Sequence, residues 1–239
     1  MAAFRDIVIL TGSGISAESG VATFRDKDGI WAKYDYRDVA TPEGFAANPD
    51  LVHSFYNDRR RKLPSVSPNA AHIALAELES GLIAHGGQLT LITQNVDDLH
   101  ARAGSKNILH MHGELGKAAC AHCGDISDCT GDLSTDDFCS VCKQKGGMRP
   151  YVVWFGEMPR FMDEAMTAIA SADLFVSIGT SGSVYPAAGF AGEARAAGVQ
   201  TTELNLEPSE NAHVFSDSRY GPATTVVPVW AREILQTHD

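Results

Sequence analysis

DIVILTGSGISA, Asp6 to Ala17, is the stretch on which the fold turns. A short apolar run, Ile7 to Leu10, stops at TGSG, and a helix is expected to open beyond it. GSGISA, Gly12 to Ala17, thereby matches the G-x-G-x-x-G/A pattern of dinucleotide-binding folds. In that pattern glycines let backbone N–H groups approach a pyrophosphate at a helix N-terminus. Alone, the same residues fit a tight strand-to-helix turn equally well. The acidic residue that dehydrogenases carry about twenty positions on, after a second strand, is missing.

The rhythm repeats along the chain. Leu89 to Ile92 run into TQNVD, Leu174 to Ile178 into GTSG, and TTELNL ends its strand at Asn205. ATTVVPV, Ala223 to Val229, reads as a last strand. Between these runs, NAAHIALAELE (Asn69 to Glu79) and MDEAMTAIA (Met162 to Ala170) have apolar residues at helical spacing. PAAGFAGEARAAG, from Pro186, begins with a proline suited to a helix start and ends with a glycine suited to a C-cap. Strands alternating with helices predict an α/β fold, a Rossmann-like doubly wound parallel sheet covered on both faces. Ligands in such sheets collect at the carboxyl ends of the strands, where the polar motifs of this sequence fall.

Two stretches break the alternation. Ala32 to Pro68 is aromatic and charged, with a helix expected at NPDLVHSFY: Asn48 as N-cap, Pro49 at the first position. Cys120 to Met148 is polar and holds all five cysteines. The expected division is a Rossmann-like domain of 1–32, 69–116 and 150–239, with a smaller helical and zinc-ribbon domain of 33–68 and 117–149. Cys120-x2-Cys123, fifteen residues, then Cys139-x2-Cys142 has the spacing of a four-cysteine zinc site. Four thiolates fill zinc's tetrahedron and leave no place for a catalytic water, so such a zinc is structural. Cys129 is read as a spare small side chain.

Bulk properties narrow the class. At 239 residues the chain can bury one large core with a small appendage. No apolar run approaches bilayer-spanning length, and MAAFRDIVIL reads as a first strand, not a signal peptide. A net charge of −11 argues against a nucleic-acid surface and suits a cytoplasmic protein. TQNVDDLH (Thr93 to His100) and HMHGEL (His110 to Leu115) carry the Asn, Asp and His types that hold a ribose and move protons. A polar loop with Asx turns explains them as simply, and spacing does not select His112 among nine histidines. VVWFGE, Val152 to Glu157, reads as a short extended stretch to which a peptide could add as an extra strand.

Taken together, GSGISAESGVATFR, TQNVDDLH, HMHG, the doubled C-x2-C, RPYVVWFGE, GTSGSVYPA and LNLEPS resemble the sirtuins, especially small bacterial members. The resemblance runs in order over nearly the whole chain. Ser13 and Ala22 stand where the family pattern has alanine and proline. The resemblance implies an enzyme that consumes NAD to remove acyl groups from protein lysines, and it implies one structural zinc. Gly12, Ser13 and Gly14 would face the pyrophosphate, under a loop through Ala22, Thr23, Phe24 and Arg25. Gln94, Asn95 and Asp97 would hold the nicotinamide ribose and carboxamide. Gly179, Thr180, Ser181, Asn205, Leu206 and Glu207 would bind the adenosine half, with Ala223 near the adenine. His112 would be the general base that takes a ribose hydroxyl proton, after acyl-oxygen attack on C1′ has released nicotinamide. O-acyl-ADP-ribose would be the product. Phe155, Gly156 and Glu157, with Val184 and Tyr185 opposite, would line the acyl-lysine channel.

Tyr56 and Arg59 share a helix face, and sirtuins that remove succinyl and malonyl groups carry such a Tyr-x-x-Arg pair. The resemblance therefore implies desuccinylase and demalonylase activity beside deacetylation. Its partners would be acyl-lysine proteins or peptides, with no nucleic acid or membrane, and a monomer is favoured. Two other readings stand beside it: an NAD-dependent oxidoreductase, and a non-catalytic zinc-ribbon module that binds acyl-lysine.

Overall fold

A computed structural model describes residues 4–23 and 30–238, without the side chain of Trp31. Six strands form one sheet: β1 (Asp6–Thr11), β2 (Gln88–Thr93), β3 (Ile108–His110), β7 (Leu174–Ile178), β8 (Gln200–Asn205) and β9 (Asp217–Tyr220). Their spatial order is β3-β2-β1-β7-β8-β9, and every pairing is parallel. The chain winds outward from β1 to β3, returns to β7 beside β1, and winds outward again. That reversal between β1 and β7 is the topological switch point of a doubly wound sheet.

Helices cover both faces. The described helices are α1 (Gly14–Ala17), α2 (Ile30–Lys33), α3 (Tyr36–Val39), α4 (Pro42–Ala47), α5 (Pro49–Lys62), α6 (Ala70–Ala84), α7 (Leu99–Ala103), α8 (Met162–Ser171), α9 (Phe190–Ala196) and α10 (Ala223–Gln236). Leu75, Leu78 and Leu82 of α6 and Trp230 and Ile234 of α10 pack with Ile7, Ile9 and Leu91 on one face. Ile169 of α8 and Phe190 and Ala194 of α9 pack with Val8, Leu10 and Phe175 on the other. Strands buried on both faces are apolar at nearly every position, hence the near-continuous apolar runs in β1 and β7.

A second sheet, β5-β4-β6, is antiparallel and built from β4 (Gly113–Cys120), β5 (Ile126–Asp128) and β6 (Met148–Val152). Helices α2 to α5 pack on it through Ile30, Val39, Val52, Phe55 and Tyr56 against Leu115, Val152 and Trp154. The two insertions meet each other through Asn57, which bonds both backbone groups of Leu133. Asn48 caps α5 through a bond from Leu51 N–H, with Pro49 at the first position, as the sequence predicts.

Three expectations are corrected. ATTVVPV is no strand: it opens α10, whose Val227, Trp230, Ala231 and Ile234 are buried at helical spacing against α6. Tertiary burial outweighs the β-branched run and the one backbone bond forgone at Pro228. PAAG is a single 3-10 turn over Ala187–Gly189, and the helix proper starts at Phe190. In VVWFGE the strand ends at Val152, because the Glu157 carboxylate accepts from Trp154 N–H (2.8 Å) and folds the chain into a turn.

Candidate active site

The switch point puts the loops after β1 and β7 in backbone contact. Gly12 N–H donates to Ile178 O and Gly14 N–H to Gly179 O. A Cβ on Gly12 would lie 2.7 Å from Gly179 O, and one on Gly179, at φ +62°, would lie 2.5 Å from Ile15 N. These glycines are thus required for packing, whatever ligand they meet. Helix α1 is a single turn, and Ser13 N–H has no partner among the described residues. The loop through Ala22 and Thr23 follows, with Ala22 exposed; Phe24 and Arg25 lie outside the described residues.

Below this loop lies a buried polar network. Asn95, 4% exposed, donates to Gly12 O (3.0 Å) and Ser16 Oγ (3.2 Å). Ser16 Oγ donates to Asp97 Oδ2 at 3.0 Å, and Asp97 Oδ1 accepts from Leu99 N–H at 3.1 Å. Burial raises the Asp97 carboxyl above its ordinary range against those bonds. His72 Nδ1 accepts from Asn69 N–H, so its proton sits on Nε2, facing Ser16 Oγ at 3.4 Å. Thr11 Oγ1 donates to Thr93 Oγ1 and meets His100 Nε2 at 3.0 Å, and the two imidazoles lie 4.8 Å apart. Sequence reasoning gave roles to Asn95 and Asp97 but none to Ser16, which bonds both, or to His72 and His100, which bond Ser16 and Thr11 in turn. Polar residues inside an otherwise apolar helix and motif were the available signal.

His112, half-buried, follows β3. Its Nδ1 lies 3.1 Å from Gln94 O, an acceptor only, so the proton sits on Nδ1. Nε2 has no partner among the described residues and can accept a proton. Burial lowers the His112 pKa against that backbone bond, keeping the ring neutral. Gln94, Thr180, Ser181 and Val184 line one cleft at the strand ends. Thr180 bonds Ser177 (2.8 Å), and Asn205 donates to Thr180 O (2.8 Å), fixing the β7 and β8 loops together. Leu206 and Glu207 are exposed beyond them. Ala223 begins α10, whose next N–H, that of Thr224, donates to Glu18 at 2.9 Å.

Toward the second sheet, His112 O accepts from Val153 N–H at 2.9 Å, and the neighbouring Trp154 donates Nε1–H to Tyr56 Oη at 3.0 Å. Tyr56 is buried, and its phenol is pushed well above its usual pKa by desolvation. Arg59 donates to Phe55 O (2.8 Å) and stacks on the Phe55 ring at 3.3 Å; no carboxylate pairs with it among the described residues. Desolvation lowers it to about 10, so it stays charged at neutral pH. Phe155, Gly156 and Tyr185 are exposed. The Glu157 carboxylate is held by Arg149 (2.6 and 2.9 Å) and by the turn, so it braces this wall.

Cys120, Cys123, Cys139 and Cys142 bring their sulfurs within 4.8 Å of one another, with Cys120–Cys142 at 3.7 Å and Cys123–Cys139 at 3.6 Å. A tetrahedral zinc with bonds of about 2.3 Å needs sulfur–sulfur edges of about 3.8 Å, so the donor set fits a structural zinc. Cys129 stands apart, donating to Gly131 O at 3.4 Å.

Known proteins share this architecture. The sequence profile described as the Sir2 family matches residues 12–186. A protein of Caulobacter vibrioides named NAD-dependent protein deacylase is 60% identical over 229 residues, spanning 96% of both chains. A structure described as a Sir2 homolog–NAD complex superposes with TM-score 0.88 at 36% identity, over 99% of this chain and 91% of that one. Another, described as Sir2 bound to acetylated peptide, gives 0.80 at 28% identity, over 98% and 93%.

Proposed function

The chain belongs to the Sir2 family, and from that premise we propose that it is an NAD-dependent deacylase of protein acyl-lysine whose substrates include succinyl- and malonyl-lysine. His112 carries the reading: its Nδ1 proton is fixed on Gln94 O, and its Nε2 is free to act as a base. NAD supplies an electrophilic ribose carbon and the acceptor for the acyl group, so nicotinamide and O-acyl-ADP-ribose are the products. Gly12, Ser13 and Gly14 hold the pyrophosphate, and Thr180, Ser181 and Asn205 the adenosine half. Asn95 and Asp97 face the nicotinamide end, braced from beneath by Ser16 and His72. The family's peptide complex and the exposed Phe155 and Tyr185 support an acyl-lysine channel there.

Arg59 and Tyr56 set the acyl preference. Arg59 is a partly buried cation with no carboxylate paired to it among the described residues, and Tyr56, already an acceptor from Trp154, keeps its own hydroxyl proton to donate. Hydrogen bonds to a charged group contribute about 1.5–3 kcal/mol, roughly a tenfold to hundredfold preference for an acidic acyl group. An acetyl group leaves Arg59 as it stands, so deacetylation persists.

Mass spectrometry of one peptide bearing acetyl-lysine or succinyl-lysine, with NAD, tests this. Wild type should release both acyl groups with nicotinamide; His112→Ala should release neither, and Arg59→Met should lose mainly succinyl removal. Unchanged peptides beside intact or merely reduced NAD would refute it.

A further inference from the structure

Helix α5 presents Tyr56 and Arg59 on one face and is clamped on the next. Asn57, 7% exposed, pairs with both backbone groups of Leu133: Nδ2 donates to its carbonyl at 2.8 Å, and Oδ1 accepts from its N–H at 2.9 Å. That same Oδ1 accepts from Arg60 Nη1 at 2.8 Å. Arg60, 3% exposed, also donates Nε–H to Leu115 O (2.9 Å) and Nη1 to Gly131 O (3.3 Å). Gly131 and Leu133 lie between Cys129 and Cys139, inside the zinc module, and Leu115 lies on β4.

The geometry ties this clamp to Arg59. Consecutive helical residues are about 100° apart, so 57 and 60 face the module while 56 and 59 are turned one step from them. Any rotation or slip of α5 against the module carries Tyr56 and Arg59 with it. Among the described residues the one hydrogen bond given to Arg59 is to its own helix, at Phe55 O, and its guanidinium lies over the Phe55 and Tyr34 rings. A buried guanidinium held by carbonyls and an amide is an expensive device for packing alone.

We propose that Asn57 and Arg60 are positioning residues for acyl-group selectivity, pinning α5 to the 131–133 loop so that Arg59 and Tyr56 stand where an acyl carboxylate is read. The cysteine module then takes part in substrate choice. This rests on the reading of Arg59 and Tyr56 as the carboxylate site.

Steady-state kinetics on the acetyl- and succinyl-lysine peptides decide it, using wild type, Asn57→Ala, Arg60→Lys, Arg59→Met and the Asn57→Ala/Arg59→Met pair. Because a small misplacement is costly, KM for the succinyl peptide should rise about tenfold in Asn57→Ala, with acetyl kcat/KM within about twofold of wild type. In the Arg59→Met background, Asn57→Ala should change succinyl removal no further. Arg60→Lys keeps the charge but not the fork, and carries the test if Asn57→Ala does not fold. Equal losses on both peptides, no loss on either, or an additive effect beside Arg59→Met overturn the proposal. Failure of the underlying reading looks different: wild type ignores the succinyl peptide, or Arg59→Met changes nothing, and the clamp proposal falls with it.

Discussion

Protonating His72 is a change the fold resists. The ring is wholly buried, its Nδ1 accepts a backbone N–H, and burial lowers its pKa to about 4 from an ordinary 6.5. A folded pKa below the unfolded one means the stability is fully present above about pH 6.5 and is lost as pH falls toward 4. About 2 kcal/mol should be gone by pH 5, a fall of about 4–8 °C in Tm. Burial pushes His100 the same way. A melting temperature unchanged between pH 7 and pH 5 would count against this. Such residues were illegible in the sequence because their role is set by depth, which spacing does not encode. The four cysteines were legible, since a metal's coordination geometry imposes a spacing of its own.

At the scale of elements, the sequence spoke clearly wherever local chemistry decided. Asn48-Pro49 marks the start of α5 because the cap and the fixed proline φ act within one turn. ATTVVPV misled because its partners on α6 lie some 150 residues away, and only their contact shows the helical stripe. VVWFGE misled because one carboxylate, Glu157, closes a turn that hydrophobic pattern does not reveal. The meeting of the β1 and β7 loops gives a sharp prediction. Gly179→Ala should lower Tm and raise KM for NAD several-fold, since a Cβ there is strained at φ +62° and strikes Ile15 N. Wild-type values for both would show that the contact yields freely.

For the whole molecule, the alternation of runs and turns was enough to predict a doubly wound parallel sheet, but not its order, which depends on pairings between distant segments. The two sheets are joined closely. Strand β4 starts at Gly113, next to His112, and ends at Cys120 of the four-cysteine cluster, so the proposed base adjoins the strand that reaches the proposed metal site. Chelating zinc should therefore melt the β5-β4-β6 sheet and abolish deacylation, because structural zinc contributes folding free energy directly. Circular dichroism and activity followed during chelation check this; an unaltered melting curve with full activity would refute it.

The strand order also sets a schedule for the chain as it leaves the ribosome. β1 pairs on one side with β2, which ends at Thr93, and on the other with β7, which begins at Leu174. Eighty-one positions separate those two residues (174 − 93), about 4–16 seconds of synthesis at roughly 5–20 residues per second. Throughout that interval the nascent half-sheet carries β1 as an unpaired edge, a template for the wrong partner. All four zinc ligands are made within the same interval, so the module can load its metal before the central strand of the enzyme finds its second neighbour.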